Sequence, residues 1–262
     1  MRILITGRNG TVGSVLSRRL EEMGHEAAGW DRAKVPIDDY SAMEDFIRSV
    51  SPGAVYHLAI LSVPTGVSNE GWKVNYEWAS ELAWICRTAG IRFIFASSVM
   101  VFSNRAAGPF TVESVPDETG GYGYEKRMAE ERVFYQYPGA VIARLGWQIG
   151  NAPGSNNMID FFDTRMREDG EIRASRLWFP ACSFLDDTAG VLTGFTDIAP
   201  GLYQIDANRG WSFYEIAEEL NRLHGGRWNI VPTEDFVYNQ RMIDQRVKIP
   251  SLRERLPGLT ML

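Results

Sequence analysis

Short apolar runs alternate with helix-spaced apolar positions over the first 145 residues. Residues 2–6 (RILIT) form the first run and predict a buried strand. Val12, Val15, Leu16, Leu20 and Met23 then recur at helical spacing, with Gly24 as the stop signal. Residues 26–30 and 54–58 predict a second and a third strand. Between them, Ser41 and Glu44 form a capping-box pattern ahead of Phe46, Ile47 and Val50. A long helical pattern covers residues 69–89 and closes at Gly90. A fourth strand (92–96), a helix (122–136) and a fifth strand (140–144) follow. Such alternation predicts an α/β fold with a doubly wound parallel sheet, helices covering both faces.

Beyond Gly146 the pattern loosens. A Gly/Asn/Pro loop, a helix at 158–166 and a short apolar run occupy residues 147–182. Residues 187–195 look helical, 202–205 look like a strand, and Ser212 with Glu215 opens a capping-box helix. The expected division is a dinucleotide-binding domain over 1–146, rejoined by 183–206. Residues 147–182 and 207–262 then make a small interleaved C-terminal substrate-binding region.

Composition narrows the field. The 262 residues carry 27 basic and 33 acidic side chains, a net charge of −6, which argues against a general nucleic-acid binder. No apolar run reaches the ~18 residues of a membrane span, and MRILITG turns glycine-rich too soon for a signal peptide. Cys86 and Cys182 are not at metal-ligand spacing, and no metal site is expected. Two unpaired thiols fit a cytoplasmic setting. His57 at the end of a buried strand reads as a core histidine. The acidic pairs, Asp38–Asp39 and Asp186–Asp187 among them, read as solvated faces or caps.

The chemistry begins at TGRNGTVGS, a glycine-rich turn between a strand and a helix. Gly7 permits the tight turn, Gly10 lets backbone approach a pyrophosphate, and Gly13 lets the helix pack on the sheet. Arg8, Asn9, Thr11 and Val12 complete a loop whose N–H groups face the phosphates. Asp31 lies 18 residues beyond Gly13, near the position of a carboxylate that accepts ribose hydroxyls. That acid repels a 2′-phosphate, whereas Arg8 and Arg32 are able to pair with one. The balance narrowly favours NAD(H) over NADP(H).

Tyr122 and Lys126 are four apart at the start of a helix and share a face, while Tyr124 is turned away. A phenol of pKa ~10 is a poor base at neutral pH, and a neighbouring ammonium is expected to lower it. Such a tyrosine moves a proton to or from a substrate oxygen. Ser97 and Ser98 follow the fourth strand, where the carboxyl ends of parallel strands line the ligand crevice.

These residues together resemble an extended short-chain dehydrogenase/reductase, the group that contains nucleotide-sugar epimerases, dehydratases and dTDP-4-dehydrorhamnose reductases. The resemblance is carried by TGRNGTVGS, Asp31, VYHLA, Asn75, FASSVMVF, YGYEK, ARLGWQIGN and FLDDTA. It spans about the first 210 residues and is nearest the rhamnose-pathway reductases. It implies a Rossmann-like core and a catalytic triad of Ser98, Tyr122 and Lys126. In it Tyr122 is the acid/base, Lys126 binds the nicotinamide ribose, and Ser98 orients the reacting C–O group. It also implies that Ala59 and Ile60 line the cofactor and that Asn75 lies near it. The implied activity is NAD(P)-dependent reduction of a nucleotide-linked keto-sugar. Epimerase or dehydratase chemistry with held NAD and a non-catalytic regulatory subunit are the alternatives. Two departures fall where the resemblance places substrate. Where the reductases read Ser-Thr-Asp-Tyr-Val-Phe, this chain has Val99 and Met100 after its two serines. Where they read Val-Asp-Lys, it has Pro64, Thr65 and Gly66.

Trp84 falls on the polar arc of the 69–89 helix, and Met128 and Tyr135 point away from the Tyr122–Lys126 face. The resemblance implies that these two helices pair across a two-fold axis, giving a homodimer anchored by Trp84.

Overall fold

The computed structural model describes residues 1–61, 66, 68–150 and 156–260. The first elements are β1 (Arg2–Thr6), α1 (Thr11–Glu22), β2 (Glu26–Gly29), α2 (Tyr40–Val50) and β3 (Ala54–His57). A long helix follows in three parts: α3 (Glu70–Trp72), a π-helical segment (Lys73–Glu77) and α4 (Trp78–Ala89). Then come β4 (Arg92–Ser98), a 3₁₀ turn (Val99–Val101), α5 (Gly121–Gln136) and β5 (Val141–Leu145). The later chain holds β6 (Trp147–Ile149), α6 (Met158–Asp169), β7 (Ile172–Ser175), β8 (Trp178–Phe179), β9 (Cys182–Phe184) and α7 (Leu185–Thr193). It ends with β10 (Gly201–Ile205), α8 (Phe213–Leu223), β11 (Ile230–Thr233), β12 (Tyr238–Asn239) and α9 (Leu252–Arg255).

Two compact units divide the chain. The first comprises Met1–Ser103, Val115–Arg144 and Ala189–Tyr203. Its sheet has the order β10-β5-β4-β3-β1-β2. The β1–β2, β1–β3 and β3–β4 pairs are parallel, with Ile3 opposite both Ala27 and Ala54. Ile3, Leu4 and Ile5 are fully buried, which is why this strand reads as a continuous apolar run rather than an alternating one. Leu16 and Leu20 of α1, Met43 and Ile47 of α2, and Trp78 and Leu82 of α4 supply the helix side of the core. Each fully buried side chain of this size contributes roughly 1.5–3 kcal/mol.

Local details depart from the sequence reading in informative ways. Helix α2 starts at Tyr40, and its cap is Asp39, whose carboxylate accepts the Ala42 N–H at 2.9 Å. The Ser41–Glu44 capping box does not form. Asp39 takes the capping role, and Glu44 instead receives Arg48 at 2.8 Å. Strand β2 stops at Gly29, so Asp31 lies two residues past its end. Strand β4 runs on through both serines.

The second unit comprises Asn104–Ser114, Leu145–Thr188 and Gln204–Leu262. Among the described residues it carries two-stranded parallel pairs, β6–β9, β7–β11 and β8–β12. Its aromatic core gathers Trp147, Phe161, Phe162, Trp178 and Phe213, with Trp178 and Phe213 centroids 4.8 Å apart. The Ser212–Glu215 capping box is present at α8. Asp206 is buried and accepts backbone N–H groups of Cys182, Asn208 and Met242 at 2.8–3.0 Å. Burial pushes its carboxyl up to about 7, against the pull of those three donors. Asp187 is held by Arg255 at 2.7 Å (Oδ2–Nε).

Candidate active site

The glycine turn is built as the spacing predicts. Gly7 has φ +67°, a left-handed conformation, and a Cβ there would stand 2.9 Å from Ala59 N. At Gly13 a Cβ would stand 2.1 Å from Gly7 O, so no side chain fits between α1 and the turn. Gly10 is the N-cap residue of α1, and no side chain caps it. The first N–H groups of α1 are thus left for an anion.

Thr6, at the end of β1, ties the turn to the neighbouring strand. Its hydroxyl accepts the N–H groups of Leu58 and Ala59, both at 3.2 Å, and hydrogen-bonds His57 Nδ1 at 2.8 Å. His57 is fully buried, and burial together with the Lys126 charge holds its imidazole neutral. Ala59 is partly buried and Ile60 is exposed at the carboxyl end of β3. The next residue, Leu61, is clamped by Asn75. Its N–H donates to Asn75 Oδ1 at 2.9 Å, and Asn75 Nδ2 donates to its carbonyl at 2.8 Å. Asn75 is fully buried and sits within the π-helical segment, a local overwidening of the helix that recurs at functional sites. Asn75 Nδ2 also donates to Glu125 Oε2 at 2.7 Å.

Ser98 and Tyr122 are brought together by a hydrogen bond between their side chains. Gly123 makes this approach feasible, since a Cβ there would stand 2.1 Å from Met100 O. The Ser98 hydroxyl also accepts the Met100 N–H at 3.1 Å, which fixes its direction. Lys126 lies one turn further along α5, fully buried, with Nζ 4.1 Å from the Phe95 ring centroid and without a hydrogen-bond partner. Burial lowers its pKa to about 7, while Glu130 and Glu125 act in the opposite direction. Ser97, the residue before Ser98 in β4, is buried with an unpartnered hydroxyl.

Tyr122 corrects one expectation. Burial of its hydroxyl pushes the phenol above its ordinary value; the Ser98 hydrogen bond draws it down and Glu125 pushes it up. The expected lowering by Lys126 is not among the influences on this phenol, where desolvation outweighs the Ser98 hydrogen bond. Tyr124 stacks on Trp72 with centroids 6.3 Å apart, on a different face of α5.

At the other end of the turn, Asp31 is half exposed and accepts the Ala33 N–H at 3.0 Å. Arg8 pairs with Glu21 at 2.7 Å, and Arg32 lies 3.9 Å from Glu70. Pro64, Thr65 and Asn151 lie outside the described residues. Thr6, Phe95 and Glu125 are the site residues that spacing did not reveal. Among the described residues, no group of three His, Cys, Asp or Glu side chains converges as a metal site. No helix among them is long and apolar enough to cross a membrane.

The unpartnered Lys126 Nζ, the uncapped α1 and the left-handed Gly7 fit a dinucleotide. Residues 1–225 match the RmlD substrate binding domain family. The spore coat polysaccharide biosynthesis protein SpsK of Bacillus subtilis is 22% identical over 240 residues, 90% of this chain and 84% of that protein. A dTDP-4-dehydrorhamnose reductase of Streptomyces griseus is 25% identical over 241 residues, 90% of this chain and 75% of the relative. The crystal structure of dTDP-4-dehydrorhamnose reductase from Bacillus anthracis in complex with NADP has the same fold. Its TM-score is 0.84 at 18% identity, over 97% of this chain and 95% of that one.

Proposed function

The chain belongs to the RmlD substrate binding domain family, among the extended short-chain dehydrogenase/reductase enzymes, and on that premise we propose that it reduces a nucleotide-linked keto-sugar with a nicotinamide dinucleotide. The observation that carries this reading is the Ser98–Tyr122 hydrogen bond at the carboxyl end of β4, with buried Lys126 one turn along α5.

A bound dinucleotide would supply the hydride. The chain's own residues do the rest. Gly7, Gly10, Gly13 and the first N–H groups of α1 hold the pyrophosphate, and Asp31 accepts the adenosine ribose hydroxyls. Lys126 binds the second ribose, which gives its unpartnered Nζ the acceptors it lacks. Ser98 holds the substrate carbonyl and Tyr122 delivers a proton to its oxygen. A phenol pushed upward by burial rests in its protonated form, the form that reduction needs.

Two finer readings accompany this one. NAD(H) is the better-suited cofactor, because Asp31 meets the ribose while Arg8 is already engaged by Glu21. The chain forms a homodimer through α4 and α5, where Trp84 and Tyr135 are 39% and 73% exposed under guanidinium groups of Arg87 and Arg132.

The test is to incubate the purified protein with NADH or NADPH and a nucleoside-diphosphate 4-keto-6-deoxy sugar. Loss of absorbance at ~340 nm matched mole for mole by the reduced sugar supports the reading. Retained NAD in native mass spectrometry with no net consumption points instead to an epimerase or dehydratase.

A further inference from the structure

The ribose end of the glycine turn holds an ion pair whose acidic member belongs to the far end of α1. The Arg8 stem lies against Gly29, the last residue of β2. A Cβ there would stand 3.2 Å from Arg8 Cδ, so only glycine leaves the stem this path without displacement. The guanidinium is turned onto Glu21, with Nη2 donating to Oε1 at 2.7 Å, and its Nε is buried without a partner. Glu21 is on the last turn of α1, half exposed, and remote from the helix N-terminus where phosphates bind.

Two residues beyond Gly29 stands Asp31. The cations around this strand end each have an acid: Arg8 has Glu21, Arg32 has Glu70 at 3.9 Å, and Lys34 has Asp31 at 3.7 Å. A 2′-phosphate brings close to two negative charges and needs a guanidinium or ammonium able to turn towards it. Of the three pairs, only Arg8–Glu21 is at direct hydrogen-bonding distance, and its arginine belongs to the phosphate-binding turn itself.

We propose that Glu21 is a positioning residue that sets dinucleotide choice: by holding Arg8 in an ion pair it withholds that guanidinium from a 2′-phosphate. Discrimination then has two sources, repulsion by Asp31 and sequestration of Arg8. The inference rests on the nicotinamide-dinucleotide reading above, and it assigns a role to a side chain that touches neither cofactor nor substrate. Because the pair is half exposed, it is screened by solvent and its worth is modest.

The experiment measures dissociation constants of the whole chain for NADH and NADPH by fluorescence titration. The same titrations use 5′-AMP and adenosine 2′,5′-bisphosphate, which need no substrate and no turnover. Glu21→Gln is expected to tighten NADPH relative to NADH by roughly threefold to tenfold, with the bisphosphate moving in parallel relative to AMP. In an Arg8→Ala background the same substitution should leave both ratios unmoved. Glu21→Asp, which shortens the reach to Arg8, should give an intermediate ratio. An unchanged ratio in Glu21→Gln overturns the proposal, as does a shift of equal size in the Arg8→Ala background, since the effect would then be general electrostatics. If the unaltered chain binds neither dinucleotide, the cofactor reading falls and this inference falls with it.

Discussion

Tyr122 and Tyr124 differ by two positions and by everything that matters for proton transfer. Tyr122 hydrogen-bonds Ser98, whereas Tyr124 stacks on Trp72. Tyr122→Phe is therefore expected to lower turnover by ~10²–10⁴ with cofactor affinity nearly unchanged. Tyr124→Phe should matter far less. Steady-state kinetics with parallel NADH titration checks this, and equal losses would remove Tyr122 from the chemistry. Asp31→Ala should weaken NADH and improve NADPH relative to it, because one change removes both the ribose acceptor and the repulsion of a 2′-phosphate; an unmoved ratio in direct titration would place Asp31 away from the ribose. Lys126 yields a pH prediction. Its pKa in the folded chain is about 7 against an ordinary 10.5, so between these values the unfolded chain holds a proton that the folded chain does not. Stability through this group rises as pH rises across that window, and below about 7 the buried charge opposes folding in full. Lys126→Met abolishes the titration. Between pH 7 and 9 the urea midpoint of the native chain should therefore climb relative to that of the variant, and parallel profiles would contradict it.

At the scale of elements, α5 is joined to β5 by a buried ion pair. Arg144 donates to Glu130 through Nε at 2.9 Å and Nη2 at 2.7 Å, and its guanidinium lies 5.0 Å from the Phe102 ring centroid. Both side chains are less than a tenth exposed. Glu130→Ala leaves Arg144 charged, buried and without its carboxylate, which should cost about 3–5 kcal/mol in urea unfolding. Glu130→Leu combined with Arg144→Met should recover most of that loss. A loss below ~1 kcal/mol in the single variant would mean that water reaches the pair. None of this was legible in the chain, for a physical reason. The glycine turn and the Tyr122/Lys126 pair declare themselves because their chemistry is set by spacings of three or four residues. Glu130–Arg144, Asn75–Leu61 and Thr6–His57 join positions 14, 14 and 51 residues apart, and only tertiary packing brings them together. Strands of two or three residues such as β8 and β9 are too short to show a period of two. The misplaced start of α2 is of another kind. Asp39 and Ser41 are both competent caps, and only the backbone geometry chooses between them.

For the whole molecule, the proposed dimer turns on Trp84. Its indole hydrogen-bonds the Tyr40 hydroxyl and lies under the Arg87 guanidinium, yet 39% of it stays exposed. In a two-fold interface each substitution acts twice. Trp84→Glu is expected to give folded monomers where the native chain gives dimers, read by light scattering with circular dichroism to confirm the fold. A native monomer, or an undisturbed dimer in the variant, would remove this seam. The order of strands in the sheet has a consequence during synthesis. Strand β5 is flanked by β4 and β10, and β10 begins 56 residues after β5 ends. At roughly 5–20 residues per second, the ribosome needs about 3–11 s to deliver it. Throughout that interval the apolar β5, VIARL, has an open flank of unpaired N–H and C=O groups, a template for any neighbouring nascent chain. The yield of native protein is therefore tied to translation speed across residues 146–200, and slow codons there lengthen the time for which β5 lies bare.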